Sequence, residues 1–191
     1  MRIALARAIS IVGHPIVLLF LAALIAATQK GASARQLWFI GGATLVFGGI
    51  ALGFSWQQVR TGRWSHVDAS LANERKSLNL FLGTLCMAGA AVTWFATHRN
   101  PMPIALALSG ALIVIALLSS RWVKVSLHAM FSAFATALLW PNVLALSCGA
   151  AITAVVVWSR LALGRHVMAD VVMGLMLGVA AGAAFHVLVA R

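Results

Sequence analysis

Four residues near the carboxyl end of the chain combine residue types and spacing that suit chemistry on a phosphate. The dipeptide Ser159-Arg160 is followed by His166 and then by Asp170, one of three acidic residues among 191. His166 and Asp170 are four residues apart, so at the start of a helix they share a face and the carboxylate can accept a hydrogen bond from the ring. An aspartate in this place fixes the histidine tautomer. The second ring nitrogen is then available to attack.

Two other polar segments carry cations and a second histidine. They are "WSHVDASLANERKSLN", which contains Arg75, and "SRWVKVSLH", which contains Lys124, Ser126 and His128. Basic side chains can hold a phosphate dianion and offset charge in its transition state, and a histidine can protonate a leaving oxygen. The candidate catalytic residues are therefore His166, Asp170 and His128, and the candidate phosphate ligands are Arg160, Arg75, Lys124 and Ser126.

Each of these residues also has a purely structural interpretation. His128 would then be an interfacial histidine, and the cations would anchor the loops at the membrane surface. Asp68 and Glu74 would cap a helix or balance nearby cations, and His14, which precedes Pro15 at an expected helix start, would be structural. A lone carboxylate near lipid costs about 2.5 to 3.5 kcal/mol, however, so an aspartate inside an apolar run favours the functional interpretation.

The composition places these residues in a membrane protein. Hydrophobic residues make up 62% of the chain and charged residues 9%, and the mean hydropathy is +0.99, well outside the usual range of soluble domains. A chain of this length has room for one bundle of helices and little else. We therefore expect a single integral membrane domain over residues 1–191, with a catalytic core at about 60–190.

Apolar runs long enough to span a bilayer occur seven times. They are continuously apolar rather than alternating, which favours helices over a barrel. The predicted fold class is all-α, a polytopic transmembrane bundle of about six to seven helices. Seven alternating crossings would bring the three polar segments to one face of the membrane. The predicted spans lie at about residues 10–28, 37–57, 78–97, 103–119, 125–140, 142–158 and 167–190.

The basic excess is spread over short loops. The formal net charge is +11, but no single element gathers the Lys and Arg residues, so we expect anionic membrane lipid rather than nucleic acid as a partner. Ten of the fourteen cations fall on the face of the candidate site, which by the positive-inside rule would be cytoplasmic. Some of those cations are candidate phosphate ligands, so the opposite orientation stays open. We expect an integral protein of the bacterial cytoplasmic (inner) membrane, with no prediction of oligomeric state.

The amino-terminal segment has two possible interpretations. Basic residues, an apolar run and the small residues at 32–34 fit a cleaved signal peptide. The apolar run is long for a signal, and further spanning segments follow it. We therefore expect a retained anchor.

Small residues inside the apolar segments are expected to serve packing. Cys86 and Cys148 lie within apolar runs, where a thiol behaves as a small hydrophobe, so we predict that they form neither a disulfide nor a metal site. We also expect no cofactor and no metal elsewhere in the chain. Glycines within such helices allow close approach of a neighbouring helix. The glycines interpreted in this way are Gly41, Gly42, Gly48, Gly49, Gly174, Gly178 and Gly182.

The pattern Ser-Arg-x5-His-x3-Asp resembles the third signature of the type 2 phosphatidic acid phosphatase (PAP2) superfamily, and here the match is complete. Four fixed residues at fixed spacing would occur by chance in such a chain with a probability on the order of 10⁻³ or less. The resemblance covers about residues 60–190. The branch of the superfamily that the chain resembles consists of small PAP2-like membrane proteins.

The second signature of that superfamily, Pro-Ser-Gly-His, is matched more loosely by "KVSLH". Ser126 and His128 are kept. Val125 stands in the place of the proline, and Leu127 in the place of the glycine. The segment is still expected to open a helix.

The first signature, Lys-x6-Arg-Pro, is matched least well. Arg75 stands in the arginine place, Lys76 replaces the proline and Asp68 replaces the leading lysine. Small PAP2-like proteins show similar variants, so we interpret these differences as variation within the branch.

The resemblance implies a metal-independent phosphatase that hydrolyses a lipid phosphate or pyrophosphate, of isoprenoid or glycerolipid type, through a phosphohistidine. It implies that His166 attacks phosphorus, His128 protonates the leaving oxygen and Asp170 orients His166. The candidate cations and Ser126 would bind the phosphate.

Two other functions are compatible with the same residues. The departures from the first two signatures would also suit a non-catalytic protein that binds anionic lipid or assembles with a partner on a degenerate scaffold. A carrier would use His166 and Asp170 as a proton relay, although carriers place such residues near the bilayer midplane. Release of inorganic phosphate from a panel of lipid phosphates would separate these functions.

Overall fold

The computed structural model describes residues 2–65, 69, 71–96 and 101–190. Within them the fold is all-helical and contains no β-sheet, as the apolar runs predict. The candidate Asp68 lies outside the described residues. The α-helices are α1 (Arg2–Val12), α2 (Pro15–Gln29), α3 (Ala34–Arg60), α4 (Ala72–Ala96), α5 (Met102–Leu118), α6 (Leu127–Ala137), α7 (Val143–Ala162) and α8 (Met168–Val189).

The long helices are those of an integral membrane protein. Five of them, α3, α4, α5, α7 and α8, are long and apolar enough to cross a bilayer. Helices α1 and α2 pass the same test only as a pair, with a bend of 50° between them. The described chain therefore contains five long spans, or six if the bent pair counts as one, rather than seven.

The bend between α1 and α2 has a local cause in Gly13-His14-Pro15. Proline has no N–H to continue the helix and disfavours the helical conformation of the residue before it. His14 accordingly adopts an extended conformation, and its Nδ1 accepts the Ile16 N–H at 3.3 Å. Pro15 occupies the first position of α2, where its fixed φ suits a helix. His14 thus serves as the cap that its position before Pro15 predicts.

Helix α6 is where the predicted span at 125–140 differs from the structure. Its 11 residues cover about 17 Å, whereas the 20 residues of α7 cover about 30 Å. The chain returns to the start of α7 through a turn in which Leu139 N donates to the Thr136 carbonyl and Asn142 N to the Leu139 carbonyl. These bonds satisfy backbone groups that a helix would otherwise satisfy. A short helix of this kind is typical of a buried core element.

Contacts among the helices define two compact units, Met1–Gly41 with Ser119–Arg191, and Gly42–Leu118. In the first unit α6 packs on α8, α7 and α2, while α1 packs on α7. In the second unit α4 packs along α5, and the ring of Phe54 stacks on that of Phe81 at 3.9 Å. The expectation of a single domain stays a prediction.

The glycines of α8 explain how closely it approaches α6. A Cβ added at Gly174 would lie 2.8 Å from the Ser126 carbonyl oxygen, and one at Gly178 would overlap the Met130 carbonyl. A Cβ at Gly182 would likewise overlap a side chain of α6. The predicted packing role is confirmed for these three glycines.

No comparable close approach is seen at three glycines of α3. A Cβ added at Gly41, Gly42 or Gly49 would meet no described atom within 4 Å. The described residues therefore provide no packing partner at these three positions, and the packing role of the α3 glycines stays a prediction.

Candidate active site

The candidate residues of the first unit gather where α6 and α8 begin. The backbone N–H of Ser126 donates to the Asp170 carbonyl at 3.1 Å. Lys124 Nζ donates to the Arg165 carbonyl at 2.8 Å. These bonds join the loop before α6 to the loop before α8, and the absence of a side chain at Gly174 permits the close approach. The sequence prediction that these two polar segments lie together is confirmed.

His166 and Asp170 form the expected pair, but not on a shared helix face. His166 precedes α8, and Asp170 lies in the first turn of that helix. Asp170 Oδ2 is 3.2 Å from His166 Nδ1 and also accepts the Val167 N–H at 3.2 Å. The side chains of the pair are 9% and 10% exposed. One carboxylate oxygen thus both caps α8 and orients the ring, which directs His166 Nε2 away from the aspartate.

The surroundings of His166 favour a neutral ring. Burial lowers the pKa of His166, and the positive charges of Arg160 and Lys124 lower it further, against the opposing effect of Asp170. The pKa therefore lies below the usual value of 6.5. At neutral pH the ring carries its proton on Nδ1, facing the carboxylate, and an available lone pair on Nε2.

Arg160 lies in the last turn of α7 and connects this pair to the amino-terminal helices. Its Nη1 donates to Ser10 Oγ of α1 at 2.6 Å. The guanidinium is half-buried and acts electrostatically on both His166 and His128. A single cation is therefore placed within range of both candidate catalytic histidines.

His128 is the second residue of α6 and is half-buried. Its ring meets the ring of His14 edge to face, with centroids 5.6 Å apart and planes at 86°. Burial lowers the pKa of His128, and the positive charge of Arg160 lowers it further. His128 therefore belongs to the same cluster as the pair of His166 and Asp170.

Two serines of the signature motifs are engaged with their own helices. Ser126 is fully buried, and its Oγ accepts the Ala129 N–H at 3.5 Å as the cap of α6. Ser159 is also fully buried, and its hydroxyl donates to the Val156 carbonyl at 2.7 Å. In this arrangement Ser126 orients the first N–H groups of α6.

Arg75 belongs to the second unit, in the first turn of α4, so its role beside the cluster stays a prediction. Its neighbour Glu74 is buried and closes the preceding loop. Glu74 Oε1 accepts the Ser65 N–H at 2.7 Å, and Oε2 accepts the Leu71 N–H at 3.0 Å. The capping interpretation of Glu74 is thereby confirmed.

Sequence reasoning missed two residues of the cluster, Ser10 and His14. His14 was interpreted as structural only, and Ser10 lies in a helix without a motif. The His14-Pro15 dipeptide could have indicated a helix corner, but nothing in the sequence indicates that the corner meets residues 114 and 150 positions away.

No protein-family model matches this chain, and neither a curated protein nor a solved structure shows a significant match to it.

Proposed function

We propose that this protein is a membrane phosphatase of the PAP2 type, which hydrolyses a lipid phosphate or pyrophosphate through a phosphohistidine. The observation that carries the proposal is the pair of His166 and Asp170 beside Arg160. The pair supplies an oriented, neutral nucleophile, and the arginine supplies positive charge within range of both histidines. The complete Ser-Arg-x5-His-x3-Asp pattern supports the same conclusion.

The first chemical step is attack by His166 Nε2 on phosphorus. The N–P bond forms as the bond from phosphorus to the leaving oxygen breaks, and the electron pair of that bond goes to the oxygen. Asp170 stabilises the positive charge that develops on His166 and holds its tautomer. Arg160 and Lys124 offset the negative charge on the phosphoryl oxygens.

His128 donates the proton that the leaving oxygen requires. Burial and the positive charge of Arg160 oppose the protonation of His128 before substrate binds. A bound phosphate brings negative charge next to these cations and favours the protonated ring. Protonation of His128 would thus accompany substrate binding. In the second step water attacks phosphorus, His128 accepts a proton from it, and inorganic phosphate leaves His166.

The membrane context points to a lipid alcohol as the leaving group. The cluster lies at the amino ends of α6 and α8, beside α7, and both α7 and α8 have spanning length. A phosphate at the end of an apolar tail can reach such a position while the tail stays among apolar helices. The candidate substrates are isoprenoid and glycerolipid phosphates.

Phosphate release tests this proposal directly. The detergent-solubilised protein should release inorganic phosphate from at least one member of a panel of diacylglycerol phosphate, isoprenyl phosphate and isoprenyl pyrophosphate. His166→Ala should abolish release, whereas Arg165→Gln, a change to an exposed side chain of the same loop, should leave it within about twofold. Binding of these lipids without phosphate release would instead support the non-catalytic alternative.

The leaving group provides a specific test of His128. His128→Ala should strongly slow hydrolysis of a lipid phosphate, whose alkoxide leaves poorly, and slow p-nitrophenyl phosphate much less. Equal losses on both substrates would assign His128 to phosphate binding rather than proton donation.

A further inference from the structure

The corner between α1 and α2, which comprises residues 10–15, contacts two residues of the proposed catalytic cluster. Ser10 Oγ accepts a hydrogen bond from Arg160 Nη1 at 2.6 Å. Ser10 therefore ties α1 to the cation that α7 carries.

His14 completes the corner on the side of His128. Its ring lies edge to face with that of His128, at a centroid distance of 5.6 Å. Its Nδ1 accepts the Ile16 N–H at 3.3 Å, so the neutral ring carries its proton on Nε2. The helix cap thus fixes both the orientation and the tautomer of a ring that faces His128.

We propose that this corner is a third part of the active site, in which Ser10 positions Arg160, and His14 positions the ring of His128. The inference rests on the proposed phosphatase function and extends it to residues outside the three signatures. In that function His128 donates a proton to the leaving oxygen. His14 is therefore assigned to the side of the active site from which the leaving group departs.

The packing of the corner supports this role. Gly13 is buried, and a Cβ there would lie 2.9 Å from the Ile9 carbonyl and would crowd Val156 of α7. Glycine therefore allows the end of α1 to lie directly on the helix that carries Arg160. The sharp turn at Pro15 then directs α2 along α6, the helix that carries His128. The bend of 50° thus brings one short segment against both helices.

Substitutions at Ser10 test the positioning of Arg160. Ser10→Ala removes the hydroxyl that accepts from a charged group, and we expect the KM for a lipid phosphate to rise about tenfold with a smaller change in kcat. Ser10→Thr keeps a hydroxyl and should restore KM. Thr28→Val is the matched control, because Thr28 is exposed on α2 and its hydroxyl donates to the Ile25 carbonyl of the same helix. An unchanged KM in Ser10→Ala would overturn this part of the proposal.

Substitutions at His14 test the positioning of His128. Asparagine keeps an acceptor for the Ile16 N–H and removes the ring, so His14→Asn should retain stability. We expect His14→Asn to slow hydrolysis of an alkyl phosphate about tenfold more than hydrolysis of p-nitrophenyl phosphate. His128→Ala should show the same difference between the substrates, with larger losses. His14→Ala should show the same difference between the two substrates. It should also lower the stability of the protein, because it removes the acceptor of the Ile16 N–H. Equal losses on both substrates would show a structural role only and overturn the proposal.

A measurement without turnover separates failure of this inference from failure of the proposed function. If the unmodified protein hydrolyses no substrate, the phosphatase function fails, but the imidazole titration of His128 can still be followed by NMR with labelled histidine. The charged and titratable groups that face His128 are Arg160, His14 and His166. In the acid range where His128 titrates, a protonated His14 would oppose its protonation, so His14→Asn should raise the pKa of His128. An unchanged titration would overturn the assignment of His14.

Discussion

Replacing Asp170 with asparagine should separate the geometry of one carboxylate oxygen from its charge. Asp170 Oδ2 lies 3.2 Å from both the Val167 N and His166 Nδ1. An asparagine oxygen in the place of Oδ2 can accept both the Val167 N–H and the His166 Nδ1–H, and its NH₂ group then takes the place of the other carboxylate oxygen. The helix cap and the ring tautomer are kept, but the negative charge is lost. The neutral amide no longer stabilises the positive charge that develops on His166 as Nε2 attacks phosphorus.

The magnitude follows from the loss of this charge. A hydrogen bond to a charged group is worth about 1.5 to 3 kcal/mol, and each 1.36 kcal/mol of barrier is about a tenfold change in rate. We expect a loss of about 10- to 100-fold in kcat for Asp170→Asn. KM should change little because Arg160 and Lys124 are kept. The free energy of unfolding should fall by less than about 1 kcal/mol because the helix cap is retained.

The assay compares kcat on a lipid phosphate with thermal unfolding in the same detergent. Asp170→Ala provides the reference for loss of the cap, which costs about 0.5 to 2 kcal/mol. If Asp170→Asn kept kcat within about twofold of the unmodified protein, the role of the carboxylate charge would be refuted. A loss of activity that only followed a loss of folded protein would show that Asp170 serves α8 alone.

Three further predictions follow from packing, charge and the resemblance. Gly178→Ala should lower the unfolding midpoint, at a cost of about 1 to 3 kcal/mol, because its Cβ would overlap the Met130 carbonyl. Gly53→Ala is the control and should leave the midpoint unchanged, because a Cβ there would meet no described atom within 4 Å. The acid limb of kcat/KM should lie below pH 6.5. The His166 ring must be neutral to attack, and burial and the charge of Arg160 lower its pKa. Arg160→Gln should move that limb to higher pH, and a limb that moved lower would contradict the assignment. Activity should also survive dialysis against a chelator, and restoration by added zinc or magnesium after a loss would contradict metal independence.

The local signals in the sequence determined most of the helices and the central pair of the site. Continuous apolar runs predict helices in a membrane, and the predicted span at 167–190 agrees with α8 (Met168–Val189) to within a residue at each end. The spacing of His166 and Asp170 predicts their contact. Such features depend on residues close together in the chain, so periodicity and spacing are sufficient to find them.

Spacing nevertheless did not determine the form of that contact. The prediction places both residues on one helix face, whereas His166 stands before the helix and reaches Asp170 through its capping turn. Four residues of separation suit either arrangement. The backbone conformation at Val167, which is extended, decided between them.

Only the tertiary structure decided which distant elements complete the cluster. Helix α6 is short because the chain turns after Ala137, although its apolar run continues. Ser10 bonds Arg160 across 150 positions of the sequence, and His14 contacts His128 from the corner between α1 and α2. Contacts of this kind depend on how three helices pack together, where a buried glycine allows one backbone to approach another. No periodicity within a single segment records that approach.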